Sequence, residues 1–222
     1  MISDRKAFIR ENTRLKPVPH VPEISLFVAE ESVPIWQKTE EELNAMGLPP
    51  PYWAFAWAGG QALARYLLDH PEIVADREVL DFGSGSGLVA IAAAKAGAAR
   101  VTAADIDPFA AAAIALNAAL NGVAVSVITD NLLDGDTRFW KLVTTGDICY
   151  EQPMAERAMR WLRRLAGRGS TVLLGDPGRA YLPTAGLCEL ARYDVPTSRE
   201  LEGTERFTGF VWRVLPNLGR DR

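Results

Sequence analysis

Between residues 79 and 94 a short apolar run, Val79-Leu80-Asp81-Phe82, gives way to Gly83-Ser84-Gly85-Ser86-Gly87 and then to Leu88-Val89-Ala90-Ile91-Ala92-Ala93-Ala94. That order predicts a strand, a ligand-cradling loop and a helix. Alternate glycines let the backbone approach a ligand closely and take conformations closed to residues with a Cβ. The spacing restricts the ligand. A dinucleotide fingerprint, counted from Gly83, places its third glycine at position 88, where this chain has Leu88. Here the third glycine comes one residue early, and an acid, Asp81, precedes the loop. A carboxylate at that place repels a pyrophosphate and suits a ligand carrying an ammonium group.

The next strand, Arg100-Val101-Thr102-Ala103-Ala104-Asp105, ends in a second acid. A short carboxylate at such a strand end accepts hydrogen bonds from both hydroxyls of a ribose. A ligand with an amino-acid ammonium, a ribose and no phosphate is S-adenosylmethionine. The candidate cofactor-binding residues are therefore Asp81, Gly83, Ser84 and Gly85 of the loop, Asp105 for the ribose and Ile106 beside the adenine. Asp130 or Asn131 offers a side-chain oxygen to the adenine amino group, with a helix N-cap as the competing role for that pair. Trp57 either closes the pocket or packs in the core. The stretch resembles motifs I and II of class I methyltransferases.

A net charge of −4 argues against a nucleic-acid partner bound through a broad basic surface. Cys149 and Cys188 make no disulfide framework, the charged first residues hold no signal-peptide core, and no apolar stretch is long enough to span a membrane. A cytoplasmic protein without membrane attachment is expected, as a monomer; no metal site is expected.

Downstream of the loop, β and α patterns alternate. Helices are predicted over 88–96, 108–120 and 153–165, and strands over 100–105, 124–129, 141–147 and 171–176. Residues 192–195 and 208–215 supply two edge strands. Upstream, a short helix precedes an extended Pro17-Pro19-Pro22 segment and a strand over 24–28. A helix is predicted over 32–46 and another over 63–68, after the aromatic cluster Tyr52–Trp57. The expected fold is α/β: a doubly wound, mostly parallel seven-stranded sheet. Residues 1–50 form an extension that packs on a single unit spanning 51–222.

Ligands in such sheets bind outside the carboxyl ends of the strands. The fourth strand delivers Asp147-Ile148-Cys149-Tyr150-Glu151 there. It lacks the Asn-Pro-Pro-Tyr type of motif, and His20 and His70 lie beside prolines, far off in sequence. Carboxylates with a tyrosine suit the capture of a cation. Asp147 and Tyr150 otherwise read as a capping acid and a half-buried core ring.

Asp147-Ile148-Cys149-Tyr150 resembles the Asp-x-x-Tyr signature of the seven-β-strand protein-lysine methyltransferases. With Pro51-Tyr52-Trp53-Ala54, Trp57, Gly59-Gly60-Gln61-Ala62-Leu63 and Gly175-Asp176-Pro177-Gly178-Arg179, it is similar to the branch that methylates the β subunit of electron transfer flavoprotein. Ala58, Lys141 and Thr144-Thr145 depart from that branch's pattern. The resemblance implies catalytic roles for Asp147, which orients the lysine amine, for Tyr150, which shapes the slot, and for Glu151 and Asp176, which hold the incoming chain. It implies a protein substrate, the flavoprotein β subunit. Arg179 either contacts substrate acids or closes a turn. A small-molecule amine N-methyltransferase and a non-catalytic cofactor-binding module are the alternatives on the same fold.

Overall fold

The computed structural model describes residues 2, 4–29, 50–135, 138–197 and 203–216. The helix predicted over 32–46 lies outside the described residues. Nine strands are described: β1 (Arg14–Val18), β2 (Val21–Val28), β3 (Glu78–Phe82), β4 (Arg100–Ala104), β5 (Ser126–Ile128), β6 (Leu142–Gly146), β7 (Thr171–Asp176), β8 (Leu187–Pro196) and β9 (Arg206–Val214). The described α-helices are α1 (Arg5–Asn12), α2 (Ala58–Asp69), α3 (Leu88–Lys95), α4 (Pro108–Leu120) and α5 (Gln152–Gly167).

Strands β3 to β9 form one sheet in the order β5-β4-β3-β6-β7-β9-β8. Pairs from β5 through β7 are parallel, and β9 runs antiparallel to both β7 and β8. The expected doubly wound, mostly parallel seven-stranded sheet is thus observed. Its order reverses between β3 and β6, where the two strand ends open a crevice. The near-continuous apolar strands Val79-Leu80 and Leu142-Val143 sit there, buried from both faces as parallel strands must be.

One face of the sheet is covered by α2, and the reason is a trench of glycines. Gly146 of β6 and Gly175 of β7 are register partners, and Gly209 lies on adjacent β9. A Cβ on Gly175 would collide with the Gly59 carbonyl oxygen and stand 2.8 Å from Leu63 Cβ; one on Gly209 would stand 2.7 Å from Ala62 Cβ. Side chains on these strands would lift the helix away. The helix begins at Ala58, with Trp57 at its N-cap, five residues before the predicted start at 63. Gly59 and Gly60, poor helix formers in isolation, are accepted because only they permit this approach. Ala58 occupies the first helical turn and is fully buried.

The edge strands are longer than expected, with a bulge between Glu189 and Ala191. At the other end of the chain, β1 and β2 make a separate antiparallel hairpin. Ile24 and Leu26 of that hairpin pack with Leu88, Ile91 and Ala92 of α3. Asn117 of α4, wholly buried, accepts from the Phe27 N–H at 2.9 Å and donates to the Ser86 carbonyl at 2.8 Å. The hairpin therefore packs against α3, and Asn117 links it to the glycine-rich loop.

Gly175→Ala is expected to lower stability by about 1–3 kcal/mol, because its neighbours are backbone and cannot give way. Urea unfolding of the variant against wild type measures the loss.

Candidate functional site

The loop after β3 carries three left-handed glycines, Gly83, Gly85 and Gly87, with φ of 64°, 54° and 84°. Gly83 and Ser84 donate their N–H groups to the Ala104 carbonyl, tying the loop to the end of β4. Asp105, next along, accepts from Gly85 N–H at 2.9 Å and from Asp107 N–H at 3.0 Å. Burial raises its pKa above the ordinary carboxylate value. A Cβ on Gly85 would meet nothing within 4 Å, so the loop faces open space where a ligand fits. Ile106, 68% exposed, presents an apolar side chain beside that space.

Asp81 sits elsewhere than the sequence suggests. It is 1% exposed, and its two oxygens accept from Ser84 Oγ at 2.5 Å and Thr144 Oγ1 at 2.8 Å. Thr144, one of the departures from the family pattern, is its register partner on β6. Asp81 therefore shapes the loop from beneath through these two hydroxyls. Burial pushes its pKa up to about 6, against the hydroxyls that favour the charged form. Asn131 likewise spends its Oδ1 on the Leu133 N–H at 3.2 Å, the capping role, and Asp130 is exposed 3.9 Å from Arg138.

At the end of β6 the chain turns sharply. Asp147 takes φ 54°, a left-handed conformation that aspartate tolerates better than most residues, and its N–H bonds the Gly175 carbonyl. The twist aims its carboxylate, 8% exposed, at the start of α2. Oδ2 accepts from Gly60 N–H at 2.7 Å, at the positive end of that helix. Oδ1 accepts from Arg179 Nη2 at 2.8 Å and Nε at 3.1 Å. The Arg179 guanidinium lies over the Trp57 ring, 5.3 Å from its centre. Trp57 in turn donates from Nε1 to the Tyr52 carbonyl and touches Phe55 and Tyr52. Its role is a roof over the Asp147–Arg179 pair.

Tyr150 packs against Tyr52, ring centres 5.1 Å apart, at the mouth of the crevice. Burial, with Tyr52, Glu151 and Asp105 nearby, pushes its phenol up to about 12, so it stays neutral. Cys149 is fully buried and its thiol is also pushed up to about 12, first by burial and then by Asp176 and Asp147; it is inert. Glu151 is exposed at the start of α5 and makes no side-chain cap. Asp176, expected to hold substrate, is fully buried instead: its Oδ1 accepts from Gly178 and Arg179 N–H groups at 2.8 and 2.7 Å. It builds the turn that presents Arg179, while its Oδ2 has no hydrogen-bond partner. Burial lifts its pKa to about 6. His70 caps the far end of α2 and His20 packs against Tyr193, both remote from this cluster.

The residues that sequence reasoning missed are Gly60 and Thr144, together with the pairing of Arg179. Their signals were present as Gly59-Gly60, as a hydroxyl opposite Asp81, and as an arginine closing Gly-Asp-Pro-Gly-Arg. Among the described residues no group of His, Cys, Asp and Glu could hold a metal ion, and no helix is long and apolar enough to cross a membrane.

Residues 61–141 match the family model for ribosomal protein L11 methyltransferase (PrmA). The chain is 41% identical over 217 residues to the electron transfer flavoprotein beta subunit lysine methyltransferase of Danio rerio, spanning 95% of this chain and 83% of that one. It is 38% identical over 218 residues to the protein of the same name from Homo sapiens, spanning 95% and 82%. Among solved structures, a ribosomal protein L11 methylase from Lactobacillus delbrueckii subsp. bulgaricus shares the fold, with a TM-score of 0.51 and 23% identity over 72% of this chain and 81% of that chain.

Asp81 and Asp176 both bind protons more readily folded than unfolded. The stability they contribute is complete below the unfolded value near 3.8 and is lost as pH rises through about 6. The melting temperature is therefore expected to rise between pH 7.5 and pH 5.5. Asp176→Asn keeps Oδ1 as the acceptor for both amides and removes the buried charge. It should melt higher than wild type at pH 7.5 and show a smaller rise, as read by calorimetry across that range.

Proposed function

The chain belongs to the family of electron transfer flavoprotein β-subunit lysine methyltransferases, and from that membership we propose that it methylates lysine side chains on the β subunit of its own cell's electron transfer flavoprotein, using S-adenosylmethionine. The observation that carries the assignment of the reacting end is the pairing of Asp147 with a helix N-terminus beside Tyr150, at the sheet's crevice. The glycine loop, open in front of Gly85 and flanked by Asp105 and Ile106, fits a nucleoside that bears no phosphate. Asp105 would hold the ribose, and Ile106 would cover an adenine face. The loop's backbone, braced from below by Asp81, would take the amino-acid end.

When bound, S-adenosylmethionine supplies a methyl carbon attached to a positively charged sulfur. The protein's own task is to deliver a neutral amine in line with it. Lysine's reference pKa near 10.4 makes loss of its proton at pH 7 cost about 4.6 kcal/mol. Burial of the incoming chain beside the Tyr150–Tyr52 pair reduces that cost, since desolvation disfavours the ammonium. Asp147 then fixes the amine's direction, and correct alignment accounts for much of the rate. The neutral Tyr150 phenol offers a wall and one hydroxyl without adding charge. The proton leaves to water.

The mouth favours a macromolecular substrate over a small amine. Tyr52, Tyr150 and Tyr181 are each exposed over two-fifths of their surface, so the slot opens onto a broad aromatic rim. Such a rim suits a protein surface from which one lysine reaches inward.

Asp147→Asn retains the left-handed backbone and the Gly60 contact. It is expected to cut turnover at least about 10²-fold while leaving cofactor affinity within a few-fold. Mass spectrometry of the flavoprotein β subunit after incubation measures the first, and calorimetry the second. Wild-type turnover in this variant, or a wild-type protein that leaves the β subunit unmodified, would remove the proposal. Gly85→Ala adds a methyl group to the open space and strains φ by about 1–2 kcal/mol. The expected result is weaker S-adenosylmethionine binding by about tenfold or more, again by calorimetry.

A further inference from the structure

Resting on lysine methylation at this site, we propose that Arg179 is a positioning residue that converts Asp147 from a trap for an ammonium ion into an acceptor for a neutral amine. An isolated carboxylate beside a lysine stabilises the protonated form, whose nitrogen lone pair is already used. Such a site binds lysine well and methylates it poorly. Here the negative charge is matched before any substrate arrives. Arg179 donates twice to Oδ1, at 2.8 and 3.1 Å, and Gly60 donates to Oδ2 at 2.7 Å. A guanidinium stays charged at any relevant pH and cannot give up a proton to relieve the contact.

The arginine is planted. Its backbone N–H is held by Asp176 Oδ1 at 2.7 Å, its head lies over Trp57, and Tyr181 two residues on donates its N–H to the Cys149 carbonyl. Both ends of the residue are thus fixed to the walls of the crevice. An amine hydrogen is taken up alongside the guanidinium, whose charge penalises an ammonium in the same place.

The surrounding groups show why compensation is needed. Asp176 faces the pair from β7 and Asp105 stands at the end of β4, near Tyr150. Tyr150 and Cys149 follow β6, with Glu151 exposed beside them, and Tyr52 precedes α2. Tyr150 and the Cys149 thiol are neutral, so removing Arg179 would leave Asp147, beside Asp176 and Asp105, without the cation that now pairs with it. It would then favour the ammonium form of any lysine that entered.

Methyl transfer itself spends the amine lone pair on the new C–N bond while the C–S pair returns to sulfur, giving a thioether and a methylammonium that loses its proton to water. The rate therefore follows the fraction of bound lysine that is neutral. Steady-state kcat and KM on the flavoprotein β subunit, measured from about pH 6.5 to 10, test this with wild type, Arg179→Gln and Arg179→Lys. In the Gln variant the pH of half-maximal kcat should move up by about one to three units. The deficit near neutrality should recover in alkali, with KM unchanged or lower. The Lys variant keeps the charge and should fall between the two. Calorimetric affinity for S-adenosylhomocysteine should stay within a few-fold in both, showing that the folded site persists. A Gln variant slowed equally at every pH would make Arg179 a mere support, and one faster at every pH would make it a plug; either overturns the proposal. A Lys variant displaced as far as the Gln variant overturns it as well. Wild-type turnover bears on the activity and the displacement between profiles on Arg179, so either can fail without the other.

Discussion

A buried carboxylate at the end of the fourth parallel strand sets the terms for everything around it. Taking Asp147 out of water is costly unless its charge is matched and its oxygens are satisfied. The molecule meets that demand with a helix N-terminus on one side and a guanidinium on the other. Both requirements reach far into the fold. Gly60 can donate only if α2 lies almost on the sheet, and α2 can lie there only because β6, β7 and β9 each present a glycine. Arg179 can donate only because Asp176 and Pro177-Gly178 turn the chain back across the strand ends. Asp147 is thus held by the same contacts that close the sheet's face.

The two acids placed by the sequence at the cofactor side divide the labour differently. Asp105 stands at the rim of open space and can meet a ligand. Asp81, one strand over, faces down into the protein and fixes the loop through Ser84 and Thr144. A carboxylate under a glycine-rich turn stiffens it, which lowers the ordering cost when a ligand arrives. Trp57 shows the same indirectness: it touches the arginine that touches the acid.

Much of this was legible from the residues alone because it is local. The apolar run, the glycine spacing and the acids at strand ends follow from periods of two and of 3.6 and from where a parallel sheet opens. What escaped depends on which strands become neighbours. Thr144 meets Asp81 only through the β3–β6 register, and Arg179 meets Asp147 only because β6 and β7 lie side by side and Asp147 twists into the left-handed region. Gly59-Gly60 suggests a break in any local scheme, yet close packing outweighs intrinsic propensity there. Asn131 was ambiguous between a ligand and a cap, and a three-residue 3-10 turn decided in favour of the cap. Asp176 misled for another reason: an acid at a strand end can point inward, and no spacing rule tells which way.

One amide group gives the amino-terminal hairpin a stake in the cofactor loop. Asn117 holds Phe27 of the hairpin with one end of its side chain and Ser86 of the loop with the other. A ligand that quiets the loop also quiets the hairpin, and by thermodynamic reciprocity a hairpin pulled loose gives that free energy back. Through that one side chain the hairpin is in effect part of the binding equilibrium.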